Sequence, residues 1–159
     1  MEIDSVKRGT IDFEDLYNFR KTPVHNRFKC IREFKAFSHY SSPSREIIKE
    51  NETLKVVDIL ELNTSGAIII ELKVDRSNTV IIMQLPGFQK LLTPISGIKE
   101  RLLSDPEKLQ EYKSMKPENL LNAIKRDYLP YWLCTVHYAV GKFGAKEMTK
   151  YYYRFIQQI

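Results

Sequence analysis

At 159 residues the chain suffices for one domain with a proper core, and 43% hydrophobic with 28% charged residues excludes a disordered composition. The longest apolar runs, residues 67–70 and 80–83, are strand-sized, so no membrane-spanning helix is expected, and the opening Met1-Glu2-Ile3-Asp4 has no secretory pattern. Two cysteines, Cys30 and Cys134, exclude a four-cysteine metal site and point to a reduced, cytoplasmic setting, while the +5 net charge suits a phosphate-rich partner.

From the N-terminus, residues 10–40 read as largely helical. Ile11, Phe13, Leu16, Tyr17 and Phe19 recur at spacings of three and four, and Phe28, Ile31, Phe34 and Phe37 recur every third residue, with Pro23 as the break between the two segments. Ser41-Ser42-Pro43 signals a loop, and Ser44 is placed to cap a short helix over 45–51. The pattern then changes. Residues 54–62 and 67–74 are rich in Val, Ile and Leu around Asn63-Thr64-Ser65-Gly66, which predicts a β-hairpin. Residues 79–83 read either as a third strand or as the first turn of a helix that takes in Gln84 and Phe88 past Pro86 and Gly87.

Helical signals dominate from about Pro94. Ile98, Leu102 and Leu103 suggest one face, Asp105-Pro106 a cap and first helical position, and Lys116-Pro117-Glu118 a further start that Pro130 ends. Residues 132–140 are rich in β formers and predict a returning strand. Gly141 and Gly144 punctuate, and an aromatic helix runs from about Ala145 to Ile159. The whole is one domain, residues 1–159, of α/β or α+β class.

Chemistry concentrates in the hairpin. Asp58 interrupts one apolar strand, and Glu71 and Lys73 interrupt the other, where charge is costly to bury unpaired. Residues two apart in a strand share a face, so Glu71 and Lys73 project together, and a loop of two or four residues sets Asp58 opposite Glu71. Such a group could hold Mg²⁺ (or Mn²⁺) through hard carboxylate oxygens, with the Leu72 carbonyl as a further ligand and the lysine near a metal-activated water.

An Asp followed by Glu-x-Lys on the next strand, here Asp58 and Glu71-Leu72-Lys73, resembles the PD-(D/E)XK nucleases. Gln84-Leu85-x-x-Phe88 is similar to the Gln-Leu-x-x-Tyr helix that follows the Glu-x-Lys strand in several members, and the gap from lysine to glutamine is similar to that of NucS-type endonucleases. Val57 stands where the motif's name has proline, and Phe88 where tyrosine is usual. The resemblance spans about residues 44–92. It implies a small mixed sheet with helices on both sides, completed by residues 130–140, and helical additions at both termini. It further implies Asp58 and Glu71 as metal ligands, Lys73 assisting the water, Gln84 orienting the site and Glu46 as an added acidic residue. The expected activity is metal-dependent hydrolysis of nucleic-acid phosphodiesters, DNA ahead of RNA.

Other readings stand beside this one. The pattern also fits a surface hairpin with a solvated cross-strand salt bridge. The alternatives in function are a non-catalytic nucleic-acid-binding or assembly module using the same fold, and an adaptor in which the hairpin is only scaffold. His25, His39 and His137 lack zinc spacing. Arg27, Lys29, Arg32 and Lys35 among Phe28 and Phe34 suit phosphates or the wet face of a helix. Tyr151-Tyr152-Tyr153 with Lys146, Lys150 and Arg154 suits bases, the core or a second copy in a homodimer.

Overall fold

The computed structural model describes residues 11–21, 26–39, 42–62 and 65–159. Pro23, His25, Ser41, Asn63 and Thr64 therefore lie outside the described residues. Helix α1, Phe13–Lys21, opens the described chain with Glu14 and Asp15 in its first turn and Arg20 and Lys21 in its last, charges that complement the helix dipole.

Strands β1, Arg27–Cys30, β2, Phe34–His39, and β3, Ser42–Ile48, follow where helices were expected over the second half of 10–40 and over 45–51. The three-residue spacing of phenylalanines misled because it straddles a turn. Within β1 the period is two: Phe28 and Cys30 are buried, whereas Arg27 and Lys29 are exposed. Ile31 lies outside the strands and is exposed, so it never belonged to the stripe.

The hairpin forms as predicted, from β4, Thr53–Glu61, and β5, Ile68–Val74, and β6, Val80–Gln84, is the third strand. Gln84 closes β6 and caps helix α2, Leu85–Leu91, whose first turn takes Pro86 because no intrahelical N–H is needed there. A short β7, Leu92–Pro94, returns beside β1.

Helices α3, Ile98–Leu103, and α4, Pro106–Ser114, come next. The Asp105 side chain accepts from the Lys108 amide at 3.2 Å, so the expected cap is present. A 3₁₀ turn, Pro117–Asn119, leads into α5, Leu120–Asp127. The next helix, α6, occupies the place of the expected strand over 132–140: Leu129–Tyr131 and His137–Phe143 flank a π-helical stretch, Trp132–Val136. Burial of Leu129, Trp132, Leu133 and Val136 traces a helical stripe that outweighs the β-forming composition. Pro130 thus begins α6 instead of ending α5. Gly144, at φ +95°, makes the turn into α7, Ala145–Gln157.

The seven strands make one sheet in the order β3-β2-β6-β5-β4-β1-β7, antiparallel at every pairing. The expected mixed sheet is therefore corrected, and so is its completion by 130–140. One face carries Phe28, Leu54, Val56, Ile70, Leu72, Val74 and Ile81, all fully buried. The helices cover this face. Phe88 of α2 packs on Phe28 with ring centroids 4.9 Å apart, and the Cys134 thiol of α6 meets the Leu92 carbonyl at 3.3 Å. The opposite face shows Arg27, Lys29, Phe37, Lys73 and Gln84 exposed, so among the described residues helices lie on one side of the sheet, not both. The sheet buries its main apolar face under the helices, and the two layers make an α+β architecture. Among the described residues no helix is long and apolar enough to cross a membrane.

Candidate functional site

Asp58 stands directly opposite Glu71 in the β4–β5 ladder, and Lys73 follows on the same face. Opposed Cβ atoms lie about 5 Å apart, so the two carboxylates are close neighbours. Gln84 pairs with Ile69, two residues before Glu71, and so joins that face. The sheet thus brings four of the expected site residues onto one surface.

A bulge at Val57 sets what else stands there. The pairing Val56–Leu72 shifts by one residue before Asp58–Glu71. Lys55 and Asp58, an odd separation apart, consequently share a face that strict alternation would deny them. Lys55 then pairs with Lys73, and Arg27 of β1 pairs with Lys55. Three cations stand abreast across β5, β4 and β1. Arg27 is tied to Asp75, which also accepts from the Thr53 hydroxyl at 2.6 Å. Among the described residues neither Lys73 nor Glu71 has an ion-pair partner.

Asp58 is held from α1. Arg20 donates through Nε and Nη2 to its Oδ1 at 3.0 and 2.8 Å and reaches the Ile59 carbonyl at 3.3 Å, and the Ile59 amide donates to the same Oδ1 at 2.8 Å. Arg20 was not foreseen as part of the site. An arginine in the last turn of a helix, 38 residues away, gives no sequence signal that it will meet this strand.

Two expected members do not join the cluster. Glu46 pairs with Ala36, while its neighbours Arg45 and Ile47 pair with Phe37 and Lys35. Phe37 in turn pairs with Ile82, which pairs with Glu71. Glu46 therefore lies on the opposite face of the sheet, where Arg76 reaches it at 3.3 Å and Ser77 donates to it at 3.3 Å. Glu52 is bound by the same Arg76; its carboxyl is held below the usual range by that guanidinium against the opposing effect of burial. Leu72 is paired on both sides, with Val56 and Ile81. Its carbonyl lies in the plane of the sheet and not toward the Glu71 face. Phe88 is fully buried core and reaches no site.

These positions test the fit to a divalent cation. The shared face offers two carboxylates, one of them already engaged by a guanidinium, without the third acidic group that the resemblance implied or the Leu72 carbonyl expected as a further ligand. The described residues hold no group of three or more His, Cys, Asp or Glu arranged around a metal position. Mg²⁺ keeps several waters and takes one or two carboxylates, so Asp58 and Glu71 are a sparse set for it, and Arg20 already occupies Oδ1 of Asp58. A cation at this face competes with Arg20 for Asp58.

The remaining histidine with described surroundings is structural. His137 packs against Trp132 at 4.9 Å, and Gln89 Nε2 lies 3.4 Å from its Nδ1. Comparison with protein-family models, curated proteins and solved structures finds no match to the chain.

Proposed function

We propose that the protein binds the phosphate backbone of nucleic acid, DNA in the first instance, across the open face of its sheet. The observation that carries this reading is the row Lys73–Lys55–Arg27. Like charges set directly opposite on neighbouring strands cost about 0.2–1 kcal/mol each; Asp75 offsets this at Arg27, and a polyanion laid across the row reverses its sign at Lys73 and Lys55. Lys29, Lys35 and Arg45 extend the positive field on the same face. Fluorescence anisotropy with a labelled DNA at about 50 and 200 mM salt tests it. Neutralising three phosphates makes affinity fall roughly 40-fold over that range, and Lys55→Ala with Lys73→Ala flattens the slope. A salt-independent response removes the reading.

A second reading, metal-dependent cleavage of the same backbone, is favoured by the register of Asp58 with Glu71 beside Lys73. Under it, Mg²⁺ or Mn²⁺ supports nicking that EDTA stops, Glu71→Ala abolishes cutting, and Arg20→Ala, which releases Asp58, raises metal uptake. Binding that persists with no Mg²⁺-dependent cutting, in the wild type or in Arg20→Ala, leaves the first reading alone.

A further inference from the structure

We infer that the cleft between β2 and β6 takes one base of a single-stranded nucleic acid, stacked at Phe37 and met at its polar edge by Gln84. This rests on the backbone-binding reading and adds a substrate class to it. β2 and β6 are joined at one residue pair, Phe37–Ile82, although each is well paired on its other side. Beside that pair the sheet opens into a cleft of about 360 Å³, walled on the open face by Lys35, Phe37 and Gln84 and closed on the helix side by apolar residues that include Phe34, Met83 and Leu91. That volume lies at the lower end of the 300–1,000 Å³ range of small-molecule sites, the size of a single nucleoside unit and not of a duplex.

The chemistry of the walls selects the occupant. Phe37 is 46% exposed, a large aromatic on a face that also carries Lys35, Arg45 and Lys73, and the Arg45 guanidinium lies 5.3 Å from its ring centroid. A ring so placed can stack with any base, because every base has a π-face, and such stacking is sequence-tolerant. The Gln84 amide carries both donors and an acceptor, so it can meet the polar edge of a purine or a pyrimidine. Lys35, level with Gln84 by the same register, and Arg45 stand on either side for the flanking phosphates. The cleft adjoins Glu71 through Ile82, so a strand that fills it continues toward the row of Lys73 and Lys55. Duplex DNA keeps its base faces stacked inside and presents none to the cleft. Its phosphates reach the cations, but Phe37 stays unfilled.

The experiment compares labelled oligo(dT), oligo(U) and a duplex of the same length, with wild type, Phe37→Ala, Phe37→Tyr and Lys55→Ala. The inference expects single strands to bind more tightly than duplex. Phe37→Ala should lose roughly fivefold or more for single strands and leave duplex binding unchanged, while Phe37→Tyr keeps it. Lys55→Ala should weaken both and lower the salt dependence. The ratio of oligo(dT) to oligo(U) then assigns the preferred sugar. Equal binding of single strand and duplex, or a Phe37→Ala loss shared equally by both, overturns the base cleft while the backbone reading stands. No binding of any oligonucleotide at low salt overturns both.

Discussion

At the scale of single residues, the site turns on Val57 and Arg20. Inserting Val57 as a bulge lets Leu54 and Val56 face inward before the strand changes phase and Ile59 faces inward after it, and the same step turns Lys55 toward Lys73. Arg20 neutralises Asp58, but both side chains are substantially exposed, so this ion pair contributes at most about 1 kcal/mol to stability. The strongest polar anchor lies elsewhere. The buried Tyr112 hydroxyl donates to Asp127 at 2.8 Å and lies 2.9 Å from the Ala123 carbonyl, and Arg126 and Lys108 complete the group around that carboxylate. Burial, with Asp127 beside it, pushes the Tyr112 phenol far up, so it stays a donor at any working pH. Tyr112→Phe leaves the Asp127 carboxylate short of a donor and should cost about 1–3 kcal/mol in chemical denaturation, with nucleic-acid binding unchanged. A shift within error would remove the anchor role.

At the scale of elements, α6 links the helical layer to the sheet and carries a pH-sensitive group. Burial, helped by nearby Lys125, pushes the His137 imidazole below its ordinary value of 6.5. The unfolded chain therefore takes up the proton before the folded one does. Stability is fully present above about pH 7.5, falls as pH drops through 6.5, and levels off once the folded imidazole also titrates. Asp127 and Glu52 act lower. Their carboxyls are held down mainly by hydrogen bonds from Arg126 and Arg76 against burial, so their contribution is lost only below about pH 4, as pH falls through the folded values. Urea midpoints measured from pH 5 to 8 should show the upper step in the wild type and not in His137→Gln. A step that survives the substitution assigns it to another group. The group is linked to the proposed cleft, because Gln89 of α2 spans from His137 to the Leu133 carbonyl at 3.0 Å, and α2 follows Gln84.

At the scale of the whole molecule, sheet and helices share one hydrophobic core. Cys30 sits on β1 and Cys134 on α6; both are buried and unbridged. Desolvation raises both thiols, Cys134 to about 12, so neither is a thiolate at neutral pH. A thiol reagent should label the two together, at the rate of global opening, and both should become reactive at the same denaturant concentration. Labelling of Cys134 well before Cys30 would show that the helical layer opens apart from the sheet. A single cooperative unit suits the proposed interface, because the open face then stays rigid while a flexible strand adapts to it.

Residues alone determined the hairpin, the Asp58–Glu71 register, the common face of Glu71 and Lys73, the Asp105 cap and the C-terminal helix. Each of these depends on neighbours close in the chain, through alternation of period two, turn-forming residues or a capping side chain. Tertiary structure decided the rest. Phe28 and Phe34 became strand residues because strand neighbours offered them a buried face, and residues 132–136 became helix because four of the five side chains had a layer to pack against. The bulge that turns Lys55 toward Lys73, the transfer of Glu46 to the other face and the arrival of Arg20 at Asp58 all depend on partners 10 to 45 residues distant. Local pattern sets which way a side chain points only while the strand keeps its phase, and what it meets there is fixed by packing between elements that the local sequence does not encode.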